Sequence, residues 1–175
     1  MGRWFECYAA YLRDDPDTVL ALARPAVELL EARRSSPFLQ PLRLVLGWAC
    51  AARGDGAEGL ALAANALEQY RLQGSRQGFA GLCAMACQTA CIAGDVDATG
   101  RLLEQAFAAA DEVGDQFAAS ELWRLRAAVA RRQGDMDAFQ THLRRARDIA
   151  ESSGSPLLLA RVSRSEAGDL ATRAA

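Results

Sequence analysis

The chain of 175 residues is 51% hydrophobic and 24% charged, a composition that excludes a disordered protein and fits one soluble domain. Its formal net charge is −2 and all 20 basic residues are arginines, so we expect no strongly one-signed surface for nucleic acid. No apolar run approaches the roughly 20 residues of a membrane span, and residues 1–13 do not resemble a signal peptide. Five cysteines without disulfide-framework spacing also agree with a cytoplasmic protein.

The predicted elements, in chain order, are nine helices. They cover residues 2–13, 16–33, 38–53, 56–73, 77–93, 96–113, 117–133, 136–152 and 156–172. Apolar residues recur in them at helical spacing, as in Leu60, Ala63 and Leu67. Pro25 lies inside the second helix, and an interior proline costs about 3 kcal/mol. We therefore expect the second helix to be kinked or split there.

Two series of glycines mark the turns between these helices, and both repeat with the same period of about 40 residues. One series is followed by aspartate, with Asp15 in register upstream, and consists of Gly54, Gly94 and Gly134. The other is followed by serine or aspartate, with Ser35 in register upstream, and consists of Gly74, Gly114 and Gly154. Glycine supplies the left-handed residue that ends a helix, and the next Asp or Ser caps the following helix. Asp55 with Glu58 has the spacing of a capping box.

Small residues recur with the same period and predict where paired helices cross. They are Cys7, Gly47, Cys87 and Ala127 in the first helices, and Ala26, Ala66, Ala106 and Ala146 in the second helices. Short side chains allow close helix approach. The sequence therefore predicts one all-α domain, 1–175, with repeats 1–34, 35–74, 75–114 and 115–154. A capping helix, 155–172, would bury Leu157, Leu158, Leu159 and Val162 and turn Arg161, Arg164 and Glu166 toward water.

The repeat resembles the tetratricopeptide pattern from Gly47 through the Gly54-Asp55 turn to Gly59 and Ala66, although the period is longer than in that family. Longer repeats of this kind are similar to helical domains of large bacterial regulators, namely maltose-activator-like ATP-dependent transcription factors and cyclases with an ATPase region. The stretch from Glu121 to Ala150 is most similar. The resemblance implies a right-handed α-solenoid of about four helix pairs with a concave groove lined by the first helices.

No group of residues in the sequence forms a convincing catalytic motif, so we expect a protein that is not an enzyme. A phosphate-binding loop is excluded because the chain has no lysine. Arg144, Arg145 and Arg147 share their helix with Asp148 and Glu151, as on a solvated helix face, so direct binding of nucleic acid is not expected. We also expect no cofactor, no metal and no membrane partner.

Three groups of reactive side chains have plainer interpretations. Cys83, Cys87 and Cys91 follow one helical face and are interpreted as small packing residues, with a metal or redox role as a remote alternative. His142 is the only histidine, and no nucleophile is predicted beside it. The carboxylate pairs Asp14-Asp15 and Asp95-Asp97 are interpreted as turn and cap residues.

The positions that line the groove in the family predict the binding site. In this sequence they carry aromatic residues at one end and arginines at the other: Trp4, Tyr8, Tyr11, Leu44, Trp48, Ala84, Gln88, Arg124, Arg131 and Arg132. Aromatic residues and arginine dominate recognition hot spots; the alternative is that Trp4, Tyr8 and Trp48 each pack the core between the helices. Our leading hypothesis is a regulatory scaffold that binds a protein or peptide segment with an acidic end in this groove; a homo-oligomer is possible. The alternative is a small-molecule-sensing domain of a transcriptional regulator, whose pocket would have about 300 to 1,000 Å³.

Overall fold

The computed structural model describes residues 2–33, 36–74, 76 and 78–168. The described residues form nine helices: α1 (Gly2–Leu12), α2 (Pro16–Arg33), α3 (Leu39–Ala52), α4 (Gly56–Leu72), α5 (Phe79–Ala93), α6 (Val96–Val113), α7 (Gln116–Arg132), α8 (Met136–Ser152) and α9 (Pro156–Ala167). The predicted helices match these within two residues, apart from the end of the last helix. That predicted end, residue 172, and the predicted turn residues Ser35 and Ser75 lie outside the described residues.

The glycine turns have the predicted backbone conformation, because all six glycines of the two series have positive φ. At Gly94, for example, φ is 80° and the next amide bonds back to the carbonyl of Ala90. The capping aspartates Asp95, Asp115 and Asp135 each accept a hydrogen bond from the backbone N–H three residues later. The capping box at Asp55 was wrong: its side chain makes no cap hydrogen bond.

Proline does not divide the second helix. Helix α2 continues through Pro25 to Arg33, so the predicted split was wrong. Pro25 is exposed, on the outside of the packed helices. A proline removes one helical N–H donor, and here the carbonyl that it leaves unpaired lies on a side of the helix that water can reach.

The nine helices of the described ranges pack mainly against their neighbours in sequence, consistent with a helical repeat arrangement. Each even-numbered helix approaches only the helices directly before and after it. The odd-numbered helices also contact one another in order, α1 with α3, α3 with α5, α5 with α7 and α7 with α9. Because α1 in turn contacts α9, these five helices close on each other, and we call them the inner ring.

The small residues permit the close crossings within the pairs. A Cβ atom added to Gly59 of α4 would lie 2.4 Å from the carbonyl oxygen of Gly47 in α3, closer than any side chain tolerates. At the equivalent crossing of α5 with α6, the thiol of Cys87 donates to the carbonyl of Thr99. Ala66, Ala106 and Ala146 are fully buried in their pairs. The crossing positions of the repeat are thus filled by backbone and short side chains.

The last helix completes the core in a way that the sequence pattern predicted only in part. Leu158 and Val162 are fully buried, as predicted. Arg161 was predicted to face water and is instead 1% exposed. Arg164 is half-buried and Glu166 is exposed. No helix in the described part of the chain combines the length and apolarity needed to cross a membrane.

Candidate functional site

The inner ring brings most of the predicted groove residues into its interior. The buried members are Tyr11, Leu44, Trp48, Ala84, Gln88 and Arg124. Those with access to solvent lie toward the two ends of the predicted groove: Trp4, Tyr8 and Arg131 are half-buried and Arg132 is exposed. The middle of the predicted groove is therefore filled by its own side chains and by α9.

A buried ion cluster lies at the centre of the inner ring. Glu121 of α7 accepts two hydrogen bonds from Arg124, at 3.1 and 2.9 Å, and a third from Nε of Arg161 in α9, at 3.0 Å. All three residues are at most 3% exposed. Charged groups remain in an interior only when they are paired and hydrogen-bonded, and these contacts meet that requirement.

Gln88 of α5 joins this cluster to the other side of the ring. Its side-chain oxygen accepts hydrogen bonds from the hydroxyl of Tyr11 at 2.8 Å, from Arg161 at 2.5 Å and from Arg124 at 3.3 Å. The Arg161 guanidinium also stacks over the Tyr11 ring, 4.2 Å from its centre. One amide oxygen thus connects α1, α5, α7 and α9, which explains a buried glutamine at a position predicted to bind ligands.

The electrostatics of the cluster fix its charge states. Burial acts to raise the pKa of Glu121, but Arg124 and Arg161 outweigh it, so this pKa lies below its usual range. Burial acts to lower the pKa of Arg161, but Glu121 and the other neighbours outweigh it, so this pKa lies above its usual range. Burial raises the pKa of Tyr11. The carboxylate and guanidinium stay charged and the phenol stays neutral at neutral pH, as in a structural network.

The side chains of α9 also hold the end of α1. Arg164 contacts the carboxylate of Asp14 at 2.9 Å and donates to the carbonyl of Leu12. Arg161 donates to the carbonyl of Tyr11 and lies 3.2 Å from Asp14. Asp14 has a left-handed backbone with φ of 55°. This set of contacts, which we call the α1–α9 clasp, closes the inner ring.

One accessible end of the predicted groove is aromatic. Trp4 stacks on Tyr8 with ring centres 5.3 Å apart, and Tyr8 lies 6.3 Å from Phe117 at the start of α7. Phe117 is 36% exposed and Phe5, next to Trp4, is 58% exposed. We call Trp4, Phe5, Tyr8 and Phe117 the aromatic edge. Phe5 and Phe117 did not figure in the prediction because the repeat register does not place them in the groove.

The other accessible end is basic. Arg131 and Arg132 line a cavity of about 220 Å³ between α5, α7, α8 and α9. Pockets for drug-sized ligands have volumes of about 300 to 1,000 Å³, so this cavity is smaller. A larger cavity of about 430 Å³ lies between α4, α5 and α6. Its charged residues Arg71 and Arg76 are already paired with Glu68 and Glu112.

The cysteine ladder is buried inside α5. Burial raises the pKa of Cys83 and of Cys87 to about 12, and it raises the pKa of Cys91 as well. Neutral thiols are poor nucleophiles and poor metal ligands. Across the described residues no three metal-binding side chains come together. These observations favour the packing interpretation of the ladder.

His142 packs against an aromatic ring. Its ring centre lies 5.3 Å from that of Trp123, which also receives the guanidinium of Arg145 at 4.9 Å. Burial and the positive charge of Arg126 lower the pKa of His142. Asp15 and Asp95 cap helices, as predicted, and Asp14 is a turn residue, as predicted, that also belongs to the clasp.

The sequence reasoning missed the residues that close the ring. Glu121 and Arg161 are one repeat period apart, so they occupy the same place in successive repeats. The repeat register was therefore a signal that could have identified them as a pair. Asp14 stands one period before Gly54, at a position that otherwise requires glycine. No protein family and no curated protein matches this chain.

Proposed function

We propose that this protein is a non-enzymatic interaction module with a tetratricopeptide-like, right-handed solenoid fold, and that it binds a segment of a partner protein. The helix pairs, the constant repeat period and the inner layer of first helices support this fold. The partner segment binds at the aromatic edge, and the role is regulatory. The proposed binding site is therefore the accessible aromatic end of the predicted groove and not its middle.

The observation that carries the proposal is the aromatic edge. The rings of Trp4, Tyr8 and Phe117 form a continuous row from α1 to α7, and Phe117 and Phe5, the residue after Trp4 in α1, are exposed. Isolated exposed hydrophobic residues are ordinary on a protein surface, but adjacent aromatic residues with a polar tip are typical of binding hot spots. Trp4 provides such a tip in its indole N–H, whereas the phenol of Tyr8 is largely withdrawn from water, since burial raises its pKa.

The polar side chains in the middle of the inner ring are bonded within the fold, which supports a scaffold role. Tyr11, Gln88 and Arg124 use their polar atoms to bond to each other and to α9. A peptide that took over these polar atoms would have to displace their present partners and would leave buried charges unpaired. The locked charge states of the cluster also favour binding over acid–base catalysis, because a general acid or base needs a pKa near the working pH.

Affinity capture from native extract, quantified by mass spectrometry, tests the proposal. The bait proteins are the wild type, Phe117→Ser and the control Leu72→Ser, which removes a 64% exposed hydrophobic residue of α4, a helix that packs on α3 and α5 rather than on α1 or α7. We expect a partner that the wild type and Leu72→Ser retain and that Phe117→Ser loses. Its affinity for purified Phe5→Ser and Phe117→Ser is expected to fall at least about tenfold, as for hot-spot residues.

Thermal unfolding of each variant shows that the fold is retained. A partner that binds all variants equally, or no partner that depends on Phe117, would count against the aromatic edge as the binding site.

A further inference from the structure

The cavity beside Arg131 and Arg132 combines an apolar wall with two cations. Ile92 of α5, Leu125 of α7 and Phe139 of α8 contribute apolar surface, and none of the residues that line the cavity is acidic. Binding pockets of this type have mostly apolar linings with a few polar groups that fix the ligand's orientation. None of the residues of the aromatic edge lines this cavity, so ligand binding in it does not depend on a protein partner at that edge.

The two arginines are held in position by backbone carbonyls. Arg131 donates to the carbonyl of Ser165 at 3.3 Å, and its guanidinium lies 5.4 Å from the centre of the Phe139 ring. Arg132 donates to the carbonyl of Cys91. A guanidinium has five N–H donors, so each arginine keeps donors for a ligand. Among the described residues neither arginine has a carboxylate within ion-pair distance.

The interior wall of the cavity adds further positive potential. Gln88 and Ser165 line the cavity, and Arg124 lies directly behind them, donating to the oxygens of both. Arg124 shares the carboxylate of Glu121 with Arg161, which is also paired with Asp14. The thiol of Cys91 is neutral because burial raises its pKa. An anion in the cavity would therefore meet cations from two sides in a partly desolvated site, where charge interactions are strong.

We propose that this cavity binds a small carboxylic acid with one carboxylate and a short apolar chain. The guanidiniums of Arg131 and Arg132 hold the carboxylate, since arginine matches its planar geometry with paired hydrogen bonds. The chain packs against Ile92, Leu125 and Phe139. The volume of about 220 Å³ limits the chain to a small aliphatic or aromatic group. The same chemistry occurs at the carboxyl end of a peptide, and the cavity selects the free acid because of its small size.

Calorimetric titration of the full chain tests this inference with three probes. Hexanoate has the carboxylate and the chain, hexanamide has the same shape without charge, and an acetylated tetrapeptide ending in leucine presents its carboxylate on a larger molecule. We expect hexanoate to bind, to raise the thermal unfolding midpoint through binding to the folded state, and to bind at least tenfold more tightly than hexanamide. Binding of the tetrapeptide alone, or equal binding of acid and amide, would overturn the proposal.

Matched variants locate the site. Arg132→Gln removes one cation from the rim, and Ala128→Leu fills the cavity without a change of charge. Arg144→Gln is the control, because Arg144 is an exposed residue of α8 outside the cavity. Arg132→Gln and Ala128→Leu should each weaken hexanoate binding at least tenfold, whereas Arg144→Gln should leave it unchanged. Hexanoate binding that survives both cavity variants would refute the assignment, and thermal unfolding without ligand confirms that each variant is folded.

These results separate the cavity from the proposed protein-binding role. Loss of a protein partner in Phe117→Ser with no hexanoate binding would leave the interaction module standing and remove the cavity proposal. Hexanoate binding in Phe117→Ser at wild-type affinity would support a cavity that works independently of the aromatic edge.

Discussion

The carboxylate of Asp14 lies 3.2 Å from a guanidinium nitrogen of Arg161, and this ion pair joins the end of α1 to α9. Asp14 holds the left-handed conformation that glycine has at the equivalent turns of later repeats. Such a backbone is strained for a residue with a side chain, although aspartate and asparagine tolerate it best. The first turn thus accepts backbone strain and gains a carboxylate that faces Arg161 and Arg164.

Asp14→Asn tests the clasp while keeping a residue that tolerates the left-handed backbone. We expect the free energy of unfolding to fall by about 1.5 to 3 kcal/mol, as for hydrogen bonds to charged groups, and the amides of α9 to exchange faster. Urea denaturation and hydrogen exchange measure both effects. The control is Asp17→Asn, which removes an exposed ion pair with Arg53 and should change little. Equal effects of the two substitutions would contradict the clasp.

Glu121→Gln tests the central ion cluster. The substitution leaves Arg124 and Arg161 buried with too little negative charge, so we expect a loss of about 3 to 5 kcal/mol of unfolding free energy. Glu166→Gln, at an exposed ion pair with Arg147, should stay within about 0.5 kcal/mol of the wild type. Urea denaturation at neutral pH compares the two. A wild-type midpoint for Glu121→Gln would show that the cluster contributes nothing to stability.

The pH dependence of stability gives a second test of Glu121. Its pKa is lowered in the folded protein, so the ionised carboxylate contributes its full stabilisation above the usual glutamate pKa of about 4.3. That contribution is lost as the pH falls through the lower folded pKa. The stability difference between wild type and Glu121→Gln should therefore be constant from neutral pH to about 5 and narrow below about 4. A difference that is unchanged in acid would contradict the lowered pKa.

Substitution of glycine by alanine is expected to have opposite effects on stability at two positions. Gly94→Ala places a side chain on a residue with φ of 80° and should cost about 1 to 2 kcal/mol. Gly100→Ala, at an exposed position inside α6 with open space around it, should stabilise the protein by about 0.5 to 1 kcal/mol. Denaturation midpoints distinguish the two. If Gly94→Ala had no effect, Gly94 would not be a left-handed turn residue.

The single histidine allows a direct measurement of its protonation. Burial and Arg126 lower the pKa of His142, so an NMR titration should give a midpoint below the usual value of about 6.5. Arg126→Gln removes the nearby positive charge and should move the midpoint upward. Arg101→Gln, an exposed arginine of α6, should leave it unchanged. A midpoint at or above 6.5 in the wild type would contradict the lowered pKa of His142.

The helices were predictable because their signals are local. A glycine that must be left-handed and an aspartate that caps the next helix act within a few residues, so positions such as Gly94-Asp95 mark a turn wherever the chain goes afterward. Crossing residues such as Gly47 are likewise visible from the repeat, since each crosses a neighbour in sequence. The packing of consecutive pairs follows from these signals.

The closure of the inner ring was not predictable in this way. It depends on contacts between α1 and α9, which lie at opposite ends of the helix series, and no local sequence pattern records such a long-range contact. Arg161 therefore has the sequence context of a surface residue and was placed in water, although it is buried. Gln88, which the family register places in the groove, is likewise buried and accepts a hydrogen bond from Arg161 of α9.

Closure of the inner ring changes how the stack is expected to come apart. In a row of repeats that touch only their neighbours, the terminal units fray first, and unfolding spreads inward from either end. Here Arg161 and Arg164 hold the first helix as well as the last, so loosening α9 also releases α1. The two terminal helices should then open together in hydrogen exchange, as one cooperative unit built from segments about 150 residues apart in the chain.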